Sequence, residues 1–406
     1  MANAAISGTN SVVNKPPPRY GERHTLSPET ELRLELSAST PATLTLLQGS
    51  AEVFGAELAL DKPYNLRGNN KIAIFTWHGC VLDVELENDN KQLDISYTSD
   101  ETVSNIAFVN THAQLEALRD EAWNNNSNES ENSSISINGP RVLLVGPADS
   151  GKSSLVRILL AYAVKLGRSP LLVDLDVSQN MLSVPGTITA SPITSDACTP
   201  LSHASMGSSI DNSGTTPLVL FYGSTDPFSH PDLYRAQLTR LGQNIDARLE
   251  KDVEARASGV IINTGGWIED VGYKILLHAA HALSVNVVLV MGHDRLYSML
   301  TSHYGKLSTG DQKVKPPKVI KLPRSGGVVS RDASFRRTSR SLGIKKYFHG
   351  NLLSSPDGAV VNQYTPFLLE VPFSDLKLHK LSSVSLAASM LPVSAKQSTD
   401  PVQLLP

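Results

Sequence analysis

An all-β sandwich-like domain, a central α/β domain on a parallel sheet and a small β-containing C-terminal domain follow from three observations on these 406 residues. From about Glu31, roughly a hundred residues alternate apolar and polar positions with period two. The middle of the chain alternates continuous Val/Ile/Leu runs with amphipathic helical stretches. Short β-like runs return after Gly350. At 40% hydrophobic and 18% charged, the chain holds enough apolar material for buried cores.

Residues 1–24 are polar and carry KPPPR, a flexible arm. In 25–123, LRLELS, ATLTLL, AEVFG, KIAIFTW, VLDVEL and LDISY are short strands separated by RGNN and ENDN turns, an antiparallel sandwich or barrel. A helix ends this domain, with Thr111 and Gln114 read as a capping box ahead of LEALRDEAW. Residues 124–138 form an Asn/Ser-rich linker. In 139–349, the strands VLLVG, PLLVDLD, PLVLFYG, GVIIN, VNVVLVMG and VIKLP alternate with helices, interrupted by a polar insertion over Ser191–Pro217. Residues 350–406 begin a further small domain that reads as shortened.

Two cysteines, Cys80 and Cys198, exclude a disulfide scaffold and fit a reducing compartment. The N-terminal twenty residues lack an apolar h-region, and no apolar run reaches membrane-spanning length, so a cytosolic or nuclear protein is expected. The net charge of −3 conceals a basic block: Lys306–Lys346 holds twelve Lys/Arg against Asp311 and Asp332. Such a block is either a solvated loop or a phosphate contact.

Gly146-Pro-Ala-Asp-Ser-Gly-Lys152-Ser153 decides between them. It matches GxxxxGK[ST] between a strand and a helix, a phosphate-binding loop. Glycines let the backbone wrap an anion, while loop N–H groups and the helix N-terminus face the phosphates. Lys152 adds a point charge and Ser153 is a ligand for Mg²⁺, so ATP and Mg²⁺ are the expected cofactors and the central domain is of the P-loop NTPase kind. Asp176, in VDLDVSQ at the end of the next strand, is placed to accept a hydroxyl proton, whereas Asp174 is assigned a structural role. Trp267, after NTGG, is either a base-stacking platform or a core residue, and Thr225 either binds substrate phosphate or shapes a turn. Arg336 and Arg340, spaced i, i+4, with Arg331 near the Gly326-Gly327 hinge, make the segment at about 324–341 a basic lid. His278 and His281 read as core histidines. HExxH and Cys-based zinc patterns are absent from the sequence, as is an NKxD-type guanine signal near VLVMGHD.

The segments ETELRLEL, AEVFGAEL, KIAIFTWHGC, GPADSGKSS, DLDVSQ, NTGGW, DRLY and LPRSGGVVSR resemble the Clp-type polynucleotide 5′-hydroxyl kinases, which are also subunits of the nuclear pre-mRNA cleavage and polyadenylation machinery. The resemblance covers about Glu29 to Lys380, and the Asn/Ser-rich linker is similar to fungal members. It implies that Glu31 and Lys71 hold the adenine, that Asp149, Ser150, Gly151, Lys152, Ser153 and Ser154 form the phosphate loop, and that Asp176 is the general base. It further implies an RNA clasp of Thr225 and Trp267, lid arginines Arg331, Arg336 and Arg340, and docking to the termination and cleavage factor that binds the RNA-polymerase tail. Two functions remain open on these residues. One is a nuclear ATP-binding cleavage-factor subunit required for 3′-end formation. The other is an active ATP-dependent RNA 5′-hydroxyl kinase.

Overall fold

A computed structural model describes residues 20–36, 42–66, 71–86, 95–127, 138–194, 216–308, 315–350, 352–354, 360–362 and 364–375. Most of the expected arm, linker, insertion and C-terminal domain, and Cys198, lie outside the described residues. The chain divides into two compact units, 1–51 with 58–99, and 52–57 with 100–406.

The first unit contains β1 (Tyr20–Leu26), β2 (Thr30–Glu35), β3 (Ala42–Gly49), β6 (Pro63–Leu66), β7 (Lys71–Thr76), β8 (Cys80–Leu86) and β9 (Ile95–Ser99). The short strands β4 (Glu52–Val53) and β5 (Ala56–Glu57) form an antiparallel hairpin that groups with the second unit. In the first unit one antiparallel sheet runs β1-β8-β3-β6, and β2 pairs antiparallel with both β7 and β9. Period-two patterning sets which side chains enter the core: Leu44, Leu46, Leu82 and Val84 are buried at alternate positions of β3 and β8.

The second unit is an α/β layer structure. Its seven-stranded sheet runs β13 (Leu218–Phe221), β12 (Thr187–Pro192), β11 (Leu171–Asp174), β14 (Val260–Asn263), β10 (Arg141–Val145), β15 (Val287–Met291), β16 (Lys318–Leu322). All of β10 is buried, as expected of a strand covered on both faces. Val142 and Leu144 pack with Phe108 and Leu115 of α1 (Val103–Ser127) and Leu155 and Leu159 of α2 (Lys152–Lys165). Leu143 and Val145 pack on the opposite face with Leu238 of α3 (Pro231–Lys251), Ala255 of α4 (Val253–Ser258), Ile275 of α5 (Asp270–Ala282) and Leu296 of α6 (Asp294–Ser308). A basic helix α7 (Ala333–His349) and a small hairpin of β17 (Leu352–Ser354) and β18 (Val360–Asn362) follow. Among the described residues no helix is long and apolar enough to cross a membrane.

The structure corrects four expectations. Residues 20–24, expected in the flexible arm, belong to β1, which pairs antiparallel with β8 from Tyr20↔Leu86 to Leu26↔Cys80. Thr111 does not cap a helix: it lies inside α1, its Oγ1 donating to the Ala107 carbonyl at 2.7 Å, because the helix already begins at Val103. The sheet is not wholly parallel: β12 runs antiparallel to both β11 and β13, so Ser191 and Pro192 belong to a strand and not to the polar insertion. The Thr-rich run TITASP hides that strand, since it lacks a continuous apolar core. His281 is exposed and His278 only half-buried, its Nε2 3.1 Å from the Arg235 carbonyl.

Helix α1 packs on α2 and α4, and an ion network ties it to α4 and to Arg168 just past the end of α2. Arg119 is fully buried, donating from Nε to the Ser258 carbonyl at 2.9 Å and pairing with Glu116 at 3.0 Å. Glu116 also receives Arg168 Nε at 2.5 Å, and Arg168 pairs with Asp120. Removing one partner of a buried pair strands the other charge. Glu116→Ala therefore costs about 3–5 kcal/mol in urea unfolding, and a loss of less than about 1 kcal/mol would mean that Arg119 is solvated after all.

Candidate nucleotide and phosphoryl-transfer site

The site is built where the carboxyl ends of β10, β11 and β14 meet, since loops there converge on one crevice. The loop 146–151 leaves β10 and turns into α2. Gly146 and Gly151 have φ of 158° and 90°, and Asp149 also takes a positive φ of 54°. That left-handed aspartate is costly locally and must be held by something outside the loop.

The lid holds it. Arg336 Nη2 meets Asp149 Oδ2 at 2.7 Å, and the Arg331 backbone N–H donates to the same oxygen at 3.2 Å. Asp332 caps α7 by accepting from the Phe335 N–H at 2.7 Å, which aims the first turn of the helix, and Arg336 Nε donates to the Arg331 carbonyl at 3.2 Å. The Arg331 guanidinium itself lies over the Phe335 ring, 5.3 Å from its centroid. Arg340 follows one turn further along α7, half-buried. Of the three lid arginines, the structure brings Arg336 to the phosphate loop by its side chain and Arg331 by its backbone.

Lys152 is buried, its Nζ donating to the carbonyls of Gly146 at 2.9 Å and Pro147 at 2.7 Å. Burial pulls its ammonium down to about 8, against the opposing pull of Asp176 and then Asp149. On the same helix Arg157 is half-buried, stands 5.7 Å over the Phe54 ring, and is lowered to about 10 by desolvation and then by Arg331. An ammonium held out of water at the mouth of a loop calls for an anion.

The residues fit a nucleoside triphosphate. Helix α2 follows Gly151 as N-cap, with no side-chain cap and no acidic residue in its first turn, leaving its N–H groups and dipole for a phosphate. Ser150 Oγ, Gln179 Nε2 and Asn263 Oδ1 are buried without hydrogen-bond partners among the described residues, all on loops or strand ends at this side of the sheet. The Ser153 hydroxyl is exposed at the start of α2, as a Mg²⁺ ligand requires, and no cluster of three His, Cys, Asp or Glu forms a protein-only metal cage among the described residues.

Asp176 sits in a loop that Asp174 organises. Fully buried Asp174 accepts from the N–H groups of Asp176 at 3.0 Å and Met181 at 2.7 Å and from Asn263 Nδ2 at 3.0 Å. Burial, with Asp176 adding to it, pushes Asp174 up to about 7. Asp176 is half-buried, its Oδ1 accepting from the N–H groups of Ser178 at 2.9 Å and Gln179 at 3.3 Å. Asn263 carries no signal in the sequence beyond its place in NTGG; the strand register that sets it beside Asp174 makes the contact. Next to it, Thr264 Oγ1 donates to the Leu144 carbonyl at 2.6 Å, and a Cβ on Gly266 would sit 2.5 Å from the Ala148 nitrogen. The glycines of this turn thus allow it to lie against the phosphate loop.

Trp267 is half-buried, its ring edge-on to Tyr234 at 5.9 Å, and Tyr234 is edge-on to Tyr222 at 5.4 Å. Tyr222 accepts from the His230 N–H and donates to the Pro227 carbonyl, shaping the turn in which Thr225 is exposed. Tyr234, missed from sequence, therefore links the two expected clasp loops. Glu31 and Lys71 lie in the first unit, paired with Arg33 at 2.5 Å and Glu35 at 2.8 Å. Glu31, Arg33 and Glu35 alternate along β2, and Lys71 stands opposite Glu35, so both expected adenine contacts share one sheet face, about 13 Å apart along the strand.

The lowered Lys152 sets a pH dependence. Between about 8 and 10.5 the unfolded chain binds more protons than the folded one, so stability of the nucleotide-free protein rises with pH across that window. Lys152→Met flattens that rise and, at pH 7, stabilises the nucleotide-free protein by up to about 3 kcal/mol, reduced by the two lost hydrogen bonds. Urea unfolding at pH 7 and pH 9.5 checks this; a variant less stable at pH 7 would mean an ammonium better solvated than its burial indicates.

Two family models match this chain: the mRNA cleavage and polyadenylation factor CLP1 P-loop over residues 146–350, and the N-terminal beta-sandwich domain of polyadenylation factor over 25–122. The polyribonucleotide 5′-hydroxyl-kinase Clp1 of Danio rerio is 37% identical over 386 residues, 95% of this chain and 78% of that protein. The Homo sapiens protein of the same name is 38% identical over 381 residues, 94% and 80%. The solved Clp1p–Pcf11p complex aligns at a TM-score of 0.70 and 25% identity, covering 85% of this chain and 75% of that one. A second Clp1p structure, concerned with an extended Pcf11p interface and ATP loss in a glycine-to-arginine mutant, aligns equally at 0.70. With both domain models and close to the whole chain matched, this protein belongs to the Clp1 family.

Proposed function

We propose that the chain is the ATP-binding subunit of a nuclear pre-mRNA cleavage factor, acting in polyadenylation-dependent 3′-end formation, and that its site phosphorylates RNA 5′-hydroxyls with ATP and Mg²⁺. What carries the chemical half is one juxtaposition: Arg336 lies on Asp149 of the phosphate loop, Lys152 is buried against the carbonyls of that loop, and Asp176 follows β11 at the same carboxyl end of the sheet. A lid cation, a loop cation and a base at one crevice are what transfer to a hydroxyl requires. What supports the biological half is membership of the family, together with the solved complexes of Clp1p with Pcf11p.

In this reading the phosphate loop N–H groups, Lys152 and the α2 N-terminus hold the triphosphate. Ser153 would hold Mg²⁺, which would supply positive charge beside the triphosphate. Asp176 accepts the proton of the incoming 5′-hydroxyl, its orientation fixed through Asp174 and Asn263. Lys152, Arg336 and the other lid arginines, Arg331 and Arg340, face the charge that develops on the transferred group. Thr225 and Trp267 grip the RNA end.

A second reading is an ATP-bound scaffold that never turns over, since the same phosphate loop and lid would hold nucleotide in either role. Incubation of 5′-hydroxyl RNA with γ-labelled ATP and Mg²⁺ separates the two. We expect label on RNA, lowered about 100-fold or more by Asp176→Asn. Bound ATP recovered intact with unlabelled RNA would establish the scaffold. Co-purification with a Pcf11-type subunit tests the cleavage-factor assignment.

A further inference from the structure

The lid carries a motif of which phosphoryl transfer uses only the first residue, Arg336. Arg336-Arg337-Thr338-Ser339 places two arginines at −3 and −2 before a serine, a charge pattern that basophilic protein kinases select. Thr338, Ser339 and Arg337 are exposed, and none of the residues of α7 is buried. A helix without buried side chains opens locally at low cost, as presentation to a modifying enzyme demands.

The position of Ser339 gives the motif a consequence. On α7, Ser339 is three residues from Arg336, close enough for direct side-chain contact, and adjacent to Arg340. Arg336 makes the lid's only side-chain ion pair with the phosphate loop among the described residues, to Asp149 at 2.7 Å. A phosphate brings up to two negative charges and three acceptor oxygens against the single charge of Asp149. Helix α7 contains no acidic residue that would repel it.

We propose that Ser339 is a phosphorylation site for a basophilic serine/threonine kinase, and that its phosphate withdraws Arg336 from Asp149 and releases the lid. In the step, Ser339 Oγ forms a bond to the γ-phosphorus of ATP held by that kinase. The bond to the bridging oxygen breaks, ADP leaves, and the serine proton passes to the modifying enzyme's base. Because the docked lid occupies Arg336, modification takes the open lid and then keeps it open. The site itself does not depend on whether this chain phosphorylates RNA.

The test uses the full chain with the catalytic subunit of a cAMP-dependent-type protein kinase and labelled ATP, mapping phosphate by mass spectrometry. We expect about one phosphate per chain at Ser339, reduced about tenfold or more in Ser339→Ala and several-fold in Arg337→Gln. Hydrogen exchange then reads the lid, since the Arg331 N–H is protected by Asp149 Oδ2. The peptide containing Arg331 should exchange at least about tenfold faster after phosphorylation, matching Asp149→Asn, while Ser339→Ala treated identically stays at the unmodified rate. Label that persists in Ser339→Ala, or full modification of Ser339 with unchanged exchange, overturns the proposal.

Discussion

Positive charge withdrawn from water beside a loop of free N–H groups is the constraint on which the second unit turns. Lys152 is buried, Arg157 is partly so, and the α2 N-terminus meets no acidic residue of its own. A buried ammonium and an uncapped helix end both raise the energy of the empty site, and both are relieved by the same kind of partner, a polyanion. The sheet holds this arrangement in place: buried β10 presents the loop at its carboxyl end, with β14 on one side and β15 on the other.

The acidic groups are arranged to complement that charge without cancelling it. Asp149 is committed to the lid, Asp174 to the backbone of its own loop and to Asn263, and Asp176, half-buried, bonds only backbone N–H groups of the next residues. Two carboxylates so close in sequence thus differ in setting, because one is enclosed and bonded by three donors while the other is only half-buried. The lid differs from the rest of the domain in that its helix buries no side chain. Its order comes from the Asp332 cap at the start of α7 and from the contact of Arg336 with Asp149.

Much of this was legible in the residues. GPADSGKS between an apolar strand and a helix, DLDVSQ at the next strand end and the arginine spacing in the lid all depend on local sequence, and local sequence is what periodicity and motif reading capture. What escaped depends on pairing between distant segments. Asn263 becomes a clamp only because β14 lies beside β11, Tyr234 links loops far apart in the chain, and TITASP becomes a strand only between two neighbours. The start of α1 escaped for the opposite reason: Thr111 and Gln114 imitate a cap, while the tertiary contacts of Phe108 hold the helix together ahead of them.

Everything else rests on loop 146–153 binding the triphosphate of ATP. Calorimetric titration of the full chain with ATP and Mg²⁺ tests this most directly. Saturable one-to-one binding that is weakened at least about 100-fold by Lys152→Ala is the expected result; equal heats from wild type and variant, or none from either, would contradict it.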